Sequence, residues 1–168
     1  MKRKFIPLLL LSVSLAACNN SANTDKMRQT AEEQIRASLD YPEELEIINV
    51  SEPDSAFGVN YYTEDELTDI AMTMQAVSDK LITSTNGMKA YNPNDYYVND
   101  LASRQLEASA AIGKMIKHKD QRGKFSGWKV KAEYKTRDAN GIELRAKRWL
   151  FFTKDGSSVY HTFEIPEI

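Results

Sequence analysis

An alternation of apolar and polar residues towards the end of the sequence constrains the fold most strongly. It runs from Phe125 to Arg137, and a second alternating run follows from Ile142 to Thr153. Asp138-Ala139-Asn140-Gly141 separates the two runs, and Asn-Gly is a strong signal for a β-hairpin turn. Lys154-Asp155-Gly156-Ser157 is a second turn signal, and a third run follows it and ends at Pro166. The sequence therefore predicts a three-stranded antiparallel meander.

The two faces of this predicted meander differ in character. One face is apolar along the first two strands, with Trp128, Val130, Ala132, Tyr134, Leu150 and Phe152. The opposite face carries lysines, but also Trp149 and Phe151. These two aromatic side chains either form an exposed surface for a partner or a glycan, or lie under a helix or a curl of the sheet. We expect them to be covered.

Three amphipathic segments predict helices ahead of the meander. The first runs from about Asp25 to Leu39, with Thr24 as its N-cap and an apolar stripe of Met27, Ala31, Ile35 and Leu39. The second begins at Thr63-Glu64-Asp65-Glu66, which has the form of a capping box, and stops at Asn86-Gly87. The third starts at Asp95 or Asp100 and ends near His118.

Two strands are predicted between the first and second helices. Leu45 to Ser51 is one, and the alternation of Phe57, Val59 and Tyr61 suggests another, with Glu52-Pro53-Asp54-Ser55 as the turn. The predicted order is α-β-β-α-α-β-β-β, an α+β fold with helices packed on one face of a twisted antiparallel sheet. This order loosely resembles small cystatin-like and NTF2-like lipoprotein domains, which implies a fold but no activity.

The first eighteen residues have the pattern of an export signal. Lys2, Arg3 and Lys4 precede an apolar run from Phe5 to Leu15, which is shorter than the about 20 helical residues that cross a bilayer. Leu15-Ala16-Ala17-Cys18 resembles the lipobox of bacterial lipoproteins. The resemblance implies cleavage before Cys18, a diacylglyceride thioether on its sulfur, and a fatty acyl group such as palmitate on its amine.

The lipobox divides the chain into a signal peptide (1–17), a lipidated cysteine with a short polar tether (18–23) and one α+β domain (24–168). Cys18 is then membrane-bound outside the cytoplasm. Asn19 follows it, rather than the aspartate of lipoproteins retained at the inner membrane. By this resemblance we expect the periplasmic face of an outer membrane, with a Gram-positive cell surface as the alternative.

Charge is unevenly distributed along the chain, whose formal net charge is −2. Acidic residues dominate up to Asp100 and basic residues dominate beyond it. A predicted partner-binding set comprises Lys114, Lys117, Lys119, Arg122, Lys124, Lys129 and Lys131, together with Tyr96 and Tyr97 from a tyrosine-rich connection. The basic residues suit an anionic protein, lipid headgroups or an envelope polymer. Alternatively, acidic helices and basic strands neutralise one another within the fold. Nucleic acid is not expected.

Motifs for catalysis are missing from the sequence. It contains no Gly-x-Ser-x-Gly elbow, phosphate loop, His-Glu-x-x-His helix or dinucleotide fingerprint. We expect the two histidines to be structural, with His161 in the core or at a sheet edge and His118 at a helix end. The sequence thus predicts no catalytic residue, metal or cofactor.

These patterns favour a lipid-anchored envelope protein that works by binding. An inhibitor or immunity-type lipoprotein is one alternative, and a small NTF2-like enzyme or ligand carrier is another. A deep apolar pocket with convergent acid and tyrosine groups favours the enzyme or carrier. A filled core with a contiguous basic or aromatic surface favours the binding module.

Overall fold

A computed structural model describes residues 16–118 and 121–168, without the side chains of residues 16–22 and 118. Its elements are α1 (Ala16–Ala37), a short 3-10 helix (Pro42–Glu44), β1 (Glu46–Val50), β2 (Asp54–Ala56), α2 (Glu64–Ser84), α3 (Tyr96–His118), β3 (Gly127–Arg137), β4 (Glu143–Phe152) and β5 (Val159–Glu167). The α+β class and the predicted element order are confirmed. Most of the predicted signal peptide, as well as Lys119, lies outside the described residues.

The sheet is antiparallel, with the strand order β1-β3-β4-β5 and with β2 also paired to β3. Trp128 in β3 lies opposite Phe152 in β4, and Arg148 in β4 lies opposite Glu164 in β5. The three-stranded meander is therefore confirmed. Among the described strands, β5 pairs only with β4 and therefore forms one edge of the sheet.

The position predicted for the second strand is wrong. Phe57 to Tyr61 is irregular, and the strand is instead β2, which includes part of the predicted turn. β1 and β2 do not form a hairpin with each other, because each pairs with a different part of β3. Pro53 has no N–H to donate to a ladder, so it separates the two short strands along the same edge of β3.

Helices cover both faces of the sheet, rather than the single face predicted. On one face, Met27, Ala31 and Ile35 of α1 form a core with side chains of β3 and β4. On the other face, α2 and α3 bury a second core that contains Trp149 and Phe151. The expectation that these two residues are covered is confirmed. A sheet with large apolar side chains on both faces needs a helical layer on each.

The helix boundaries differ most at the start of the first helix. α1 covers Ala16–Ala37, so Thr24 lies inside it and is not its N-cap, and the predicted tether has a helical backbone. No Pro or Gly interrupts residues 16–37, so nothing in this segment breaks a helix. The capping box of α2 is present, with Thr63 and Glu66 bonded reciprocally. α3 begins after Asp95, whose carboxylate accepts from the backbone N–H of Val98.

Candidate functional site

Two of the predicted partner-binding lysines bind acidic groups within the fold. Lys129 is only 4% exposed, and its Nζ lies 2.6 Å from a carboxylate oxygen of Glu66 on α2. Lys131 lies 3.2 Å from both Asp69 on α2 and Glu133 on its own strand. Both lysines are therefore engaged by the fold. This is the internal neutralisation of acidic helix and basic strand that the sequence left open.

A third lysine under α2 was missed by the sequence analysis. Lys147 of β4 donates to Asp69 at 2.7 Å and to the hydroxyl of Thr73 at 3.0 Å. Its position on the same face of β4 as Trp149 was a signal that it would lie beneath a helix. Asp69 thus lies between two sheet lysines and ties α2 to the sheet.

We expect Asp69 to make the stability of the fold sensitive to acid. Burial alone would raise the pKa of its carboxyl, but hydrogen bonds and charge from Lys147 and Lys131 hold the pKa below its ordinary value. A lowered carboxyl pKa stabilises the fold above the unfolded value, and this contribution is lost as pH falls through the folded value. Asp69→Asn should therefore lower the free energy of unfolding at neutral pH by about 1 kcal/mol, a modest figure because the carboxyl is partly exposed to solvent.

Urea unfolding at neutral pH and near pH 3 checks this expectation. Asp69→Asn should lose less additional stability on acidification than the wild type does. Asp79→Asn, on the exposed side of the same helix, is the matched control and should follow the wild type. If acidification lowered the free energy of unfolding of Asp69→Asn as much as that of the wild type, the stabilising role of the Asp69 carboxylate would be contradicted.

Two of the remaining predicted basic residues, Arg122 and Lys124, lie near a cluster of aromatic rings at one end of the sheet. We name this surface the aromatic–basic end, and it consists of Phe57, Tyr61, Arg122, Lys124, Phe125, Trp128 and Tyr160. Phe125 contacts Phe57 and Trp128 edge-on, with ring centroids 6.4 Å and 5.5 Å away. Phe57 also meets Tyr61 edge-on at 5.9 Å. The Arg122 guanidinium lies 3.9 Å from the centroid of the Phe57 ring, a cation–π geometry.

Backbone and side-chain hydrogen bonds position this cluster. The N–H of Ser126 donates to the carbonyl of Ala56, and the Ser126 hydroxyl accepts from the N–H of Gly58 at 2.8 Å. Tyr160 on β5 reaches the same hydroxyl at 3.4 Å. Trp128 donates its indole N–H to the carbonyl of Lys154 in the β4–β5 turn. The loops before α2 and before β3 are thus joined to the edge strand.

The aromatic–basic end is accessible to a partner. Phe125 is 36% exposed and Tyr160 is 46% exposed, while Phe57 and Tyr61 are half-buried. Arg122 and Lys124 are exposed, and neither forms an ion pair with another residue in the described ranges. The surface therefore combines apolar area with positive charge that the described part of the chain leaves unneutralised.

Two further predicted lysines extend from this end along α3. Lys114 and Lys117 are exposed near the end of the helix, and neither has an ion-pair partner among the described side chains. Lys114 lines a cleft of about 250 Å³ with Asn60, Phe163 and His161. His161 lies on the edge strand and is exposed, and partial burial lowers the pKa of its imidazole. It is thus a sheet-edge residue rather than a core residue.

The structure does not bring the predicted tyrosines to the same place. Tyr96 and Tyr97 begin α3, whereas Lys114 and Lys117 lie near its other end, roughly 30 Å away at 1.5 Å per residue. Tyr96 is 64% exposed and Tyr97 is half-buried. Phe57, Phe125 and Tyr160 were not among the binding residues predicted from the sequence. The adjacency of Arg122, Lys124 and Phe125 was a signal for one of them, whereas the other two come from distant segments.

Aromatic side chains pack the centre of the core between the sheet and the paired helices α2 and α3. Tyr62 is buried, and its ring lies about 6.0 Å from those of Trp149, Phe151 and Phe163. Burial, with the nearby charge of Glu66, raises the pKa of the Tyr62 phenol. The phenol oxygen and the indole nitrogen of Trp149 have no hydrogen-bond partner within the described chain. These aromatic rings pack the centre of the core, and clefts of about 250–290 Å³ lie at its edges, between the helices and the strands β4 and β5.

A polar cluster on the α1 side of the sheet joins five elements. Glu164 of β5 accepts hydrogen bonds from the Tyr134 hydroxyl at 2.7 Å and from Arg148 Nε at 2.6 Å. Arg104 of α3 reaches the other carboxylate oxygen at 3.4 Å. Arg148 also donates to the Ser38 hydroxyl after α1. Each strong donor in this cluster has an acceptor, so we assign the cluster to stability.

The described residues contain neither a cluster of metal-binding side chains nor a membrane-spanning helix. Among these side chains, no three His, Cys, Asp or Glu lie together in a way that could hold a metal ion. Within the same ranges, no helix has the length and hydropathy needed to cross a bilayer. Comparisons with protein-family models, with curated proteins and with solved structures find no match to this chain.

Proposed function

We propose that this chain is a lipid-anchored protein of the bacterial envelope that acts by binding, with the aromatic–basic end as its binding surface. The observation that carries the proposal is the exposed group of edge-packed rings around Arg122, with Lys124 beside it. Aromatic residues and arginine are enriched at binding surfaces, and tryptophan, tyrosine and arginine are enriched among the residues that contribute most to affinity. The unneutralised cations favour an anionic partner.

The anchor in this proposal is Cys18. It is the chain's single cysteine, and it stands at the position that the lipobox requires. It also lies at the start of α1, five residues before Asn23. Two acyl signals give stable membrane attachment, whereas one gives only marginal attachment. A cysteine modified on both its sulfur and its amine meets that requirement.

The aromatic packing at the centre of the second core supports binding over the carrier or enzyme alternative. Tyr62, Trp149 and Phe163 pack against one another in the core between the sheet and the helices α2 and α3, so the centre of this core is occupied by aromatic rings. A surface site needs no internal cavity, and the exposed aromatic rings supply such a surface. An inhibitor or immunity-type role is one form of this binding function, in which the anionic partner is an incoming protein.

Photo-crosslinking in intact cells tests the proposal. Phe125 is replaced with a photoreactive phenylalanine, and Asn140, in the exposed turn at the opposite end of the sheet, carries the same probe as a control. We expect recurrent adducts from position 125 and few from position 140. The probe reports both protein and lipid adducts, so either class of partner is detected.

Charge reversal adds specificity to this experiment. Arg122→Glu with Lys124→Glu should reduce the adducts from position 125 by about tenfold or more, taking each lost cation as about 1 kcal/mol of attraction. Lys80→Glu with Lys89→Glu changes the net charge equally at exposed positions elsewhere. Equal adduct yields from positions 125 and 140, or equal losses in the two double variants, would contradict the proposed surface.

A further inference from the structure

We infer that the aromatic–basic end docks on the anionic lipid surface in which Cys18 is anchored, which holds the domain against the membrane in one orientation. The inference rests on the proposed function and names the partner of that surface. Three observations carry it: the direction of α1, the chemistry of the exposed residues, and the single helix that connects the anchor to the fold.

The start of α1 lies at the same end of the sheet as the aromatic rings. A Cβ added to Gly156, in the β4–β5 turn, would lie 2.9 Å from the sulfur of Met27 and 3.3 Å from the amide of Asn23. The same turn accepts the indole N–H of Trp128 through the carbonyl of Lys154. Asn23 and Met27 of α1 and the aromatic–basic end therefore share this turn.

The direction of α1 places Cys18 beyond that end. Towards its C-terminus, α1 leads over the sheet to Ser38, whose hydroxyl accepts from Arg148 in the middle of β4. The N-terminal direction therefore leads away from the sheet. Cys18 lies five residues before Asn23, about 7.5 Å further along the helix axis. Lipid chains on Cys18 would thus enter the membrane on the side that the aromatic–basic end faces.

The chemistry of this end suits a membrane interface. Tyrosine and tryptophan favour the headgroup level, where an apolar ring and a polar tip are both satisfied. Lysine and arginine extend their charges to anionic headgroups while their methylene stems cover apolar surface. Tyr160, Phe125, Lys124 and Arg122 present this combination with substantial exposure. The carboxylate of Asp155, in the adjoining turn, accepts hydrogen bonds from the hydroxyl groups of Thr153 and Ser157.

A continuous helix makes the orientation specific. α1 covers residues 16–37 without interruption, so Cys18 is joined to the fold by helix rather than by a flexible tether. A flexible linker would let any face of the domain approach the lipid. With a helix, the aromatic–basic end meets the headgroups first, while the turn between β3 and β4 points away from them.

Fluorescence quenching in vesicles tests the inference. The full lipoprotein is purified from membranes and reconstituted into vesicles of phosphatidylglycerol and phosphatidylethanolamine that contain a headgroup quencher. Because a lipidated Cys18 has no free thiol, Lys124→Cys or Asn140→Cys provides a single labelling position. We expect the label at position 124 to be quenched several-fold more than the label at position 140, which lies about 30 Å away along the strands.

Lipid composition and charge reversal make the result decisive. In vesicles of phosphatidylcholine alone, or with Lys114→Glu and Arg122→Glu added, quenching at position 124 should fall towards that at position 140. Lys80→Glu with Lys89→Glu should leave it unchanged. Equal quenching of the two labels in anionic vesicles would overturn the inference. Quenching at position 124 that is the same in anionic and in phosphatidylcholine vesicles would overturn it as well.

Failure of the inference and failure of the proposed function give different results. A chain that does not enter vesicles at all, with a reactive thiol at Cys18, overturns the anchor and with it the inference. A chain that enters vesicles but shows equal quenching, with protein adducts from position 125 in cells, overturns only the lipid assignment. In that case the aromatic–basic end binds an anionic protein.

Discussion

Gly127→Ala is expected to remove most or all of the stability of the fold. Gly127 is the first residue of β3 and lies beside the end of the neighbouring strand β4. Its φ is +150°. A Cβ there would lie 1.9 Å from the carbonyl oxygen of Phe152 and 3.0 Å from two backbone carbons. Neither the Phe152 backbone nor Gly127 can move away freely, because β3 pairs with β2 on one side and β4 on the other. We expect a loss of more than about 3 kcal/mol.

Thermal and urea unfolding measure this effect, and Gly113→Ala is its matched control. Gly113 lies in α3 at an exposed position, with nothing within 4 Å of an added Cβ and an ordinary helical φ. Alanine in a helix interior is about 0.5–1 kcal/mol more favourable than glycine, so this variant should be slightly more stable than the wild type. A Gly127→Ala protein as stable as the wild type would refute the close approach of the β3 and β4 backbones.

Glu164→Ala is expected to have the next largest effect. It removes the acceptor of the Tyr134 hydroxyl and of Arg148, and it takes one partner from Arg104. Burial raises the pKa of the Tyr134 phenol, and the Glu164 charge adds to this, so the phenol remains a neutral donor. Breaking a buried ion pair costs about 3–5 kcal/mol. Because Glu164 is 27% exposed, we expect a smaller loss of about 2–3 kcal/mol.

Glu143→Ala is the matched control for this prediction. Glu143 pairs with Arg145 at 3.2 Å on the exposed surface of β4, where ion pairs contribute about 0–1 kcal/mol. Urea unfolding of the two variants should therefore differ by more than about 1 kcal/mol. Similar losses would show that the Glu164 cluster stabilises the fold no more than a surface pair does.

Local patterns were enough to predict most secondary-structure elements. The capping box before α2 and the Asn-Gly turn before β4 each act over a few residues, and both are present. The second strand depends on tertiary pairing instead. β2 is only three residues long, and its pairing with Lys129 is not encoded within its own sequence. The placement of α1 on the opposite face likewise depends on packing.

The candidate site could be predicted only in part. Lysines on β3 and lysines beyond α3 look alike in sequence, yet Lys129 lies beneath α2 whereas Lys124 is exposed. The difference depends on where the acids of α2 come to lie. Similarly, Phe57 and Tyr160 join Phe125 only after three separate segments meet at one end of the sheet.

The mass of the Cys18 peptide from a cell membrane fraction tests the anchoring on which this account depends. We predict a chain that begins at Cys18 and carries a diacylglyceryl group on its sulfur and an acyl group on its amine. Cys18→Ser should carry neither group and should leave the membrane fraction. A membrane-fraction peptide with a free Cys18 thiol, or fatty-acid labelling that persists in Cys18→Ser, would contradict the lipid anchor and the orientation built on it.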